Sequence, residues 1–195
     1  MRKTTTSMHN IRQMCDNLNL KHETVLHKSK MLLSVYRDIV WISTRKADTL
    51  YEESSESYGC ELSTALTYLS DFAPDEDRKA FESRVSGLFE TKWMIGLIDA
   101  AMERVKAYHT GGKLYFEILS KCYLAEQFPS ESEMLNLLNI ERSVFYERKK
   151  EAVSLFGIAM WGFAIPELRG IFQDDNTDMP VFFLRRPTES RLNPD

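Results

Sequence analysis

Ser130 to Ala152, SESEMLNLLNIERSVFYERKKEA, decides how the fold is read. Met134, Leu135, Leu137 and Leu138 form an apolar helical patch, Asn139 follows it, and Ile140 stands behind as an apolar plug. Asn is one of the few residues that accept the left-handed conformation in which helices commonly end. Upstream, Ser130 suits a helix cap, Glu133 three residues later completes a capping box, and Pro129 stops whatever precedes it. These signals predict a helix of roughly two turns from Ser130 to Leu138.

Downstream, Phe145, Lys149, Ala152 and Phe156 recur at helical spacing, while Arg142, Ser143, Tyr146 and Lys150 share the opposite side. A second helix is expected to begin at Glu141 or Arg142 and to run well past Ala152. A helix from Lys113 to Glu126 leads in, with Leu114, Ile118, Leu119, Cys122 and Tyr123 along one side. Two helices on a tight turn, backed by a third, have the layout of a helix-turn-helix, whose second helix enters the major groove of DNA.

From about Gly112 to Trp161 the chain resembles region four of bacterial sigma factors, and more closely the ArpU-like phage regulators of late transcription. Three stretches carry the likeness: Tyr115-Phe116-Glu117-Ile118-Leu119 with Tyr123, the turn Leu138-Asn139-Ile140, and the run from Ser143 to Ala152. The pieces Leu97 to Ala101 and Leu33 to Arg37 are similar to the helical leader of the same regulators. The resemblance implies a DNA-binding transcriptional regulator of phage or mobile-element type, with RNA polymerase as a further partner. The chain departs from the family at Asn139, where glycine is usual, and at Glu141, where Ser or Thr commonly caps the recognition helix. A carboxylate at that point suits the helix dipole but repels nearby phosphates.

Affinity for DNA comes largely from Lys and Arg neutralising phosphates, and this chain carries 25 of them against 29 acids, a formal net charge of -4. Any basic surface must therefore be local. Between Arg142 and Lys150 stand Arg142, Arg148, Lys149 and Lys150 against the single acid Glu147. Residues 1–30 hold Arg2, Lys3, Arg12, Lys21, Lys28 and Lys30 against Asp16 and Glu23. An arm of that charge could clamp a DNA backbone or probe a minor groove. A solvated terminus is the commoner meaning of such a run.

Arg142, Ser143 and Tyr146 are expected to reach base edges near the start of the second helix, with Arg148 and Lys150 on phosphates. Lys149 falls on the apolar face and is expected to lie along Phe145. The plainer alternative is an amphipathic helix with a charged outer face.

At 195 residues, 43% hydrophobic and 28% charged, the composition is that of an ordinary globular protein. The expected fold is all-α: a basic arm over 1–20, a helical bundle over 21–110, the helix-turn-helix with an extended recognition helix over 111–166, and a tail over 167–195. In the bundle, Leu32, Val35, Tyr36, Ile39, Val40 and Ile42 stripe a helix from Lys21 to Glu53. The acidic, serine-rich loop Glu52 to Ser57 follows, then a shorter helix from Leu62 to Phe72 closed by Pro74. From Asp75 a long helix with apolar residues from Phe81 to Tyr108 would exceed about 40 Å. Its seam needs either the preceding helices or the same helix of a second copy, and a homodimer would suit paired half-sites. Leu155 to Ile165 is apolar nearly all round and should be buried, with Pro166 ending the helix. Val181 to Leu184 reads as a short strand or extended arm before the terminal residues.

No apolar stretch follows Met1-Arg2-Lys3, and Ala152 to Pro166 falls short of the ~18 residues of a membrane span, so no membrane partner and a cytoplasmic location are expected. Cys15, Cys60 and Cys122 are scattered, which argues against a disulfide framework or a zinc site. His22 and His27 are five apart, about 140° around a helix, and cannot comfortably share a metal. No phosphate-cradling glycine loop or nucleophile motif is present, so neither a cofactor nor an enzymatic activity is expected. The rival to a regulator of double-stranded DNA is an all-helical interaction module, polymerase-associated or part of phage assembly or packaging, with the helix-turn-helix as scaffold. The acidic balance favours the module; the basic face favours DNA.

Overall fold

The computed structural model describes residues 6–43, 67–71, 79, 81, 92–125 and 127–173, of which 38–43, 92, 93 and 171–173 are described as backbone alone. Among these residues every regular element is helical. The helices are α1 (Thr6–Asn17), α2 (His22–Ser43), α3 (Lys92–Lys106), α4 (Gly112–Leu119), α5 (Glu131–Leu138), α6 (Arg142–Ala159) and α7 (Ile165–Gln173). The acidic loop at 52–57, the start of the long helix at Asp75, Cys60 and the segment Val181 to Leu184 lie outside the described residues.

Where a basic arm or solvated terminus is expected, α1 is a docked helix. Met8, Ile11 and Cys15 recur on one side and are buried, the last two in a cluster with Ile158 of α6. Burial, with help from Asp16 and Glu23, pushes the Cys15 thiol up to about 11. After α1, Asn19 takes the left-handed conformation (φ 55°), and the Leu20 and Asn19 amides bond back to the Cys15 and Asp16 carbonyls.

The same closure ends α5. Asn139 has φ 50° and ψ 48°, its amide bonds to the Asn136 carbonyl, and the Ile140 amide bonds to that of Leu135. Ile140 and Leu135 also pack on one apolar cluster, the hydrophobic contact such a closure usually brings. At its other end α5 carries the capping box. The Glu133 amide donates to Ser130 Oγ at 3.3 Å and the Ser130 amide to Glu133 Oε2 at 2.7 Å.

α6 is the spine of the molecule. Leu32, Leu33, Val35 and Tyr36 of α2, Met94 to Val105 of α3, and Tyr115 and Leu119 of α4 form one buried cluster with its second half. That cluster includes residues on both sides of Gly111-Gly112. Gly111 is left-handed at φ 80°, and a Cβ on Gly112 would lie 2.6 Å from the Lys106 carbonyl oxygen of α3. The glycine pair thus serves a close return of α4 onto α3. Gly157 plays a similar part between helices, since a Cβ there would strike Ser29 Oγ and Val25 Cγ1 of α2.

Pro166 does not end the helix. A π-helical turn, Met160–Ala164, follows α6 and the chain continues into α7, with Pro166 second in that helix. Proline lacks the amide that the ladder needs, and the wider turn just before it is where the bonding pattern shifts. The combined helix from Arg142 to Gly170 is long and apolar enough to cross a membrane, but 72% of its apolar window is buried within the molecule. Residues 67–71 are gripped at their carbonyls, where Trp161 Nε1 donates to Leu69 at 2.9 Å and the buried Lys28 Nζ to Ser70 at 2.7 Å.

Candidate nucleic-acid interface

Along α6 the environment changes abruptly. Among residues 142–150 only Phe145 is buried, whereas residues 151–159 are all buried. The first half, about 13 Å long at 1.5 Å per residue, therefore contributes no residue to the main core. Beneath it, Phe145 joins Ile118 of α4 and Met134 of α5 in a small cluster lined by Leu114, Cys122, Leu135, Leu138 and Ile140. The apolar side of the leading helix is thus shared, since Leu119 and Tyr123 turn to the main core instead.

Arg142, Ser143, Tyr146, Glu147 and Lys150 are exposed on the outer face. Arg142 is 71% exposed, yet its Nε lies 2.6 Å from Glu131 Oε1. Tyr146, 48% exposed, donates its hydroxyl to Oε2 of the same carboxylate at 2.7 Å. Glu131, in the first turn of α5, thus gathers both side chains across the turn. Ser143 and Lys150 remain open to solvent.

Arg148, expected on phosphates, turns inward. Its Nη1 donates 2.8 Å to Glu151 Oε2 and 3.4 Å to Ser7 Oγ of α1. The Glu151 side chain is 1% exposed and also accepts from Tyr115 Oη of α4 at 2.9 Å. Burial and then the hydrogen bond to Glu151 push the Tyr115 hydroxyl up. The bond to Glu151 also holds the Arg148 guanidinium protonated more firmly than usual. Arg148 therefore neutralises a buried carboxylate at the junction of α1, α4 and α6.

Lys149 Nζ stands 5.8 Å from the Phe145 ring centroid and 5.1 Å from that of Tyr123. Its stem follows the apolar face, and its charge is spread over aromatic rings. Of the four cations between 142 and 150, Lys150 is thus the one left exposed without an acid or ring partner among the described residues. His22 Nε2 lies 3.1 Å from Ser154 Oγ of α6, a buried hydrogen bond between α2 and α6. No three His, Cys, Asp or Glu side chains among the described residues are grouped to hold a metal.

Sequence spacing overlooked Glu131 and Glu151. For Glu151 a signal existed: it follows Arg148 by three residues, the step that puts two side chains on one helix face. Glu131 is separated from Arg142 by a turn whose geometry no periodicity reports. No protein-family model, curated protein or solved structure matches this chain.

Proposed function

We propose that this protein binds double-stranded DNA as a sequence-specific transcriptional regulator, with α4, α5 and α6 forming a helix-turn-helix and the first half of α6 lying in the major groove. The observation that carries this reading is the change along α6, from one buried side chain in residues 142–150 to unbroken burial in 151–159. A helix rooted in the core and exposed along the outer face of its leading end can enter a groove about 12 Å wide without repacking the molecule. The capped α5 and the left-handed Asn139 fix the turn that leads into that end. Lys150, Ser143, Arg142 and Tyr146 are the contact residues, and Arg148 is excluded by its bond to Glu151. RNA polymerase and a second copy of the chain remain natural partners for a regulator of this kind.

Glu131, Glu133, Glu141 and Glu147 are exposed around the same end, and this favours a second reading. In it the helices are a docking scaffold for another protein, polymerase-associated or from phage assembly, and the acids meet its basic surface. Gel retardation of random duplex at low and moderate salt separates the two. Retention that weakens steeply with salt supports the regulator; no retention at low salt rejects it.

A further inference from the structure

Glu131 holds Arg142 and Tyr146 in an arrangement that has chemistry of its own. Arg142 Nε meets Oε1 at 2.6 Å, its Nη2 meets Oε2 at 3.5 Å, and Tyr146 Oη donates to Oε2 at 2.7 Å. Two donors of one guanidinium edge and a phenol thus converge on two oxygens of one anion. A phosphate presents oxygens to the same planar fork, which is why arginine serves both anions. Arg142 and Tyr146 stand one turn apart on the exposed face of α6, whereas Glu131 comes from α5. Rotation of the Glu131 side chain alone would vacate the place, with no helix displaced.

We propose that Arg142 and Tyr146 form an oxyanion site whose ligand is a backbone phosphate of duplex DNA, and that the Glu131 carboxylate occupies this site in the free protein. The identity of the ligand rests on the DNA-binding function proposed above. Ion pairs this exposed hold weakly, so a polyanion that also releases counterions displaces the carboxylate. Arg142 and Tyr146 then fix the helix on the backbone, in place of the base-edge role their position in the sequence suggests. Base reading passes to Ser143, which shares the outer face and is open to solvent. Glu131 acts as a competitor that weakens loose binding to any duplex.

Fluorescence polarisation with a random duplex at fixed low salt tests this in the full chain as a double-mutant cycle. Glu131→Gln should tighten binding about two- to fivefold. The gain should vanish when Arg142→Ala is present as well. An equal gain in the Arg142→Ala background reflects net charge alone and overturns the proposal, as does no gain in a protein that does retain duplex. A second arm uses inorganic phosphate at constant ionic strength, followed through the Arg142 Nε–Hε NMR resonance. A saturable shift, larger in Glu131→Gln than in the unaltered protein, supports the site, and no shift in either rejects it. If phosphate titrates the resonance while no variant retains duplex, the oxyanion site stands and DNA binding falls. If every variant retains duplex equally, DNA binding stands and the oxyanion site falls.

Discussion

Arg148 and Glu151 stand about one turn apart on α6, and the 2.8 Å bond between them lies where the first half of the helix meets the buried half. The carboxylate is 1% exposed and also accepts from Tyr115 of α4, while the guanidinium reaches Ser7 of α1. One buried negative charge therefore fastens the first helix and the leading helix to the spine.

Removing the cation takes the 2.8 Å ion pair away from a carboxylate that is 1% exposed. Arg148→Ala should destabilise the fold by roughly 2–3 kcal/mol, below the cost for a fully buried pair because Arg148 is 34% exposed. Urea unfolding followed by circular dichroism measures it. A loss under about 0.5 kcal/mol would show that water or another donor satisfies Glu151 without Arg148.

The capping box makes a prediction about pH. Hydrogen bonds from the Ser130 side chain and then its backbone hold the Glu133 carboxyl below its ordinary 4.5. A depressed folded pKa contributes stability above the unfolded value and loses it as pH falls through the folded one. The contribution is thus complete at neutral pH and declines once pH drops past 4.5. Ser130→Ala should cost about 1 kcal/mol at neutral pH and flatten the acid limb of the stability profile. An unchanged acid limb would mean that the box does not persist in solution.

Glycine substitutions should act in opposite directions on the two sides of the π-helical turn, at Gly157 of α6 and Gly170 of α7. A Cβ on Gly157 strikes Ser29 and Val25, so Gly157→Ala should cost about 1–3 kcal/mol through separation of α6 from α2. Gly170 has nothing within 4 Å of its would-be Cβ, so Gly170→Ala should stabilise α7 by roughly 0.5–1 kcal/mol. Thermal unfolding of the two variants side by side reads the contrast. Equal effects would place α6 and α2 farther apart than described.

Local signals were legible where one or two side chains dictate the backbone. α5 starts and stops where Ser130 and Asn139 require, and α6 starts one residue after Glu141. The same logic was available at Leu18-Asn19-Leu20, which repeats the pattern of Leu138-Asn139-Ile140 and closes α1. The basic charge of the first thirty residues concealed it, although Met8, Ile11 and Cys15 stand at helical spacing. Pro166 misled because a proline early in a new helix leaves few bonds broken, and the π-helical turn before it keeps the axis continuous. Glu131 was invisible as a partner of Arg142 since their approach depends on how α5 and α6 cross. Gly111-Gly112 reads in the sequence as a linker pair, and the close approach appears only with the carbonyls of α3 beside Gly112.

The dependence of duplex affinity on salt, compared between the unaltered protein and Lys150→Ala, tests the central claim most directly. Lys150 is exposed on the outer face of α6 and makes no ion pair among the described residues, so its loss should leave the fold intact. A regulator seated by α6 predicts log Kd rising with log salt, a slope lower by about one in Lys150→Ala, and weaker binding to every sequence. Identical slopes with identical affinities, or no binding by the unaltered protein at low salt, would contradict it.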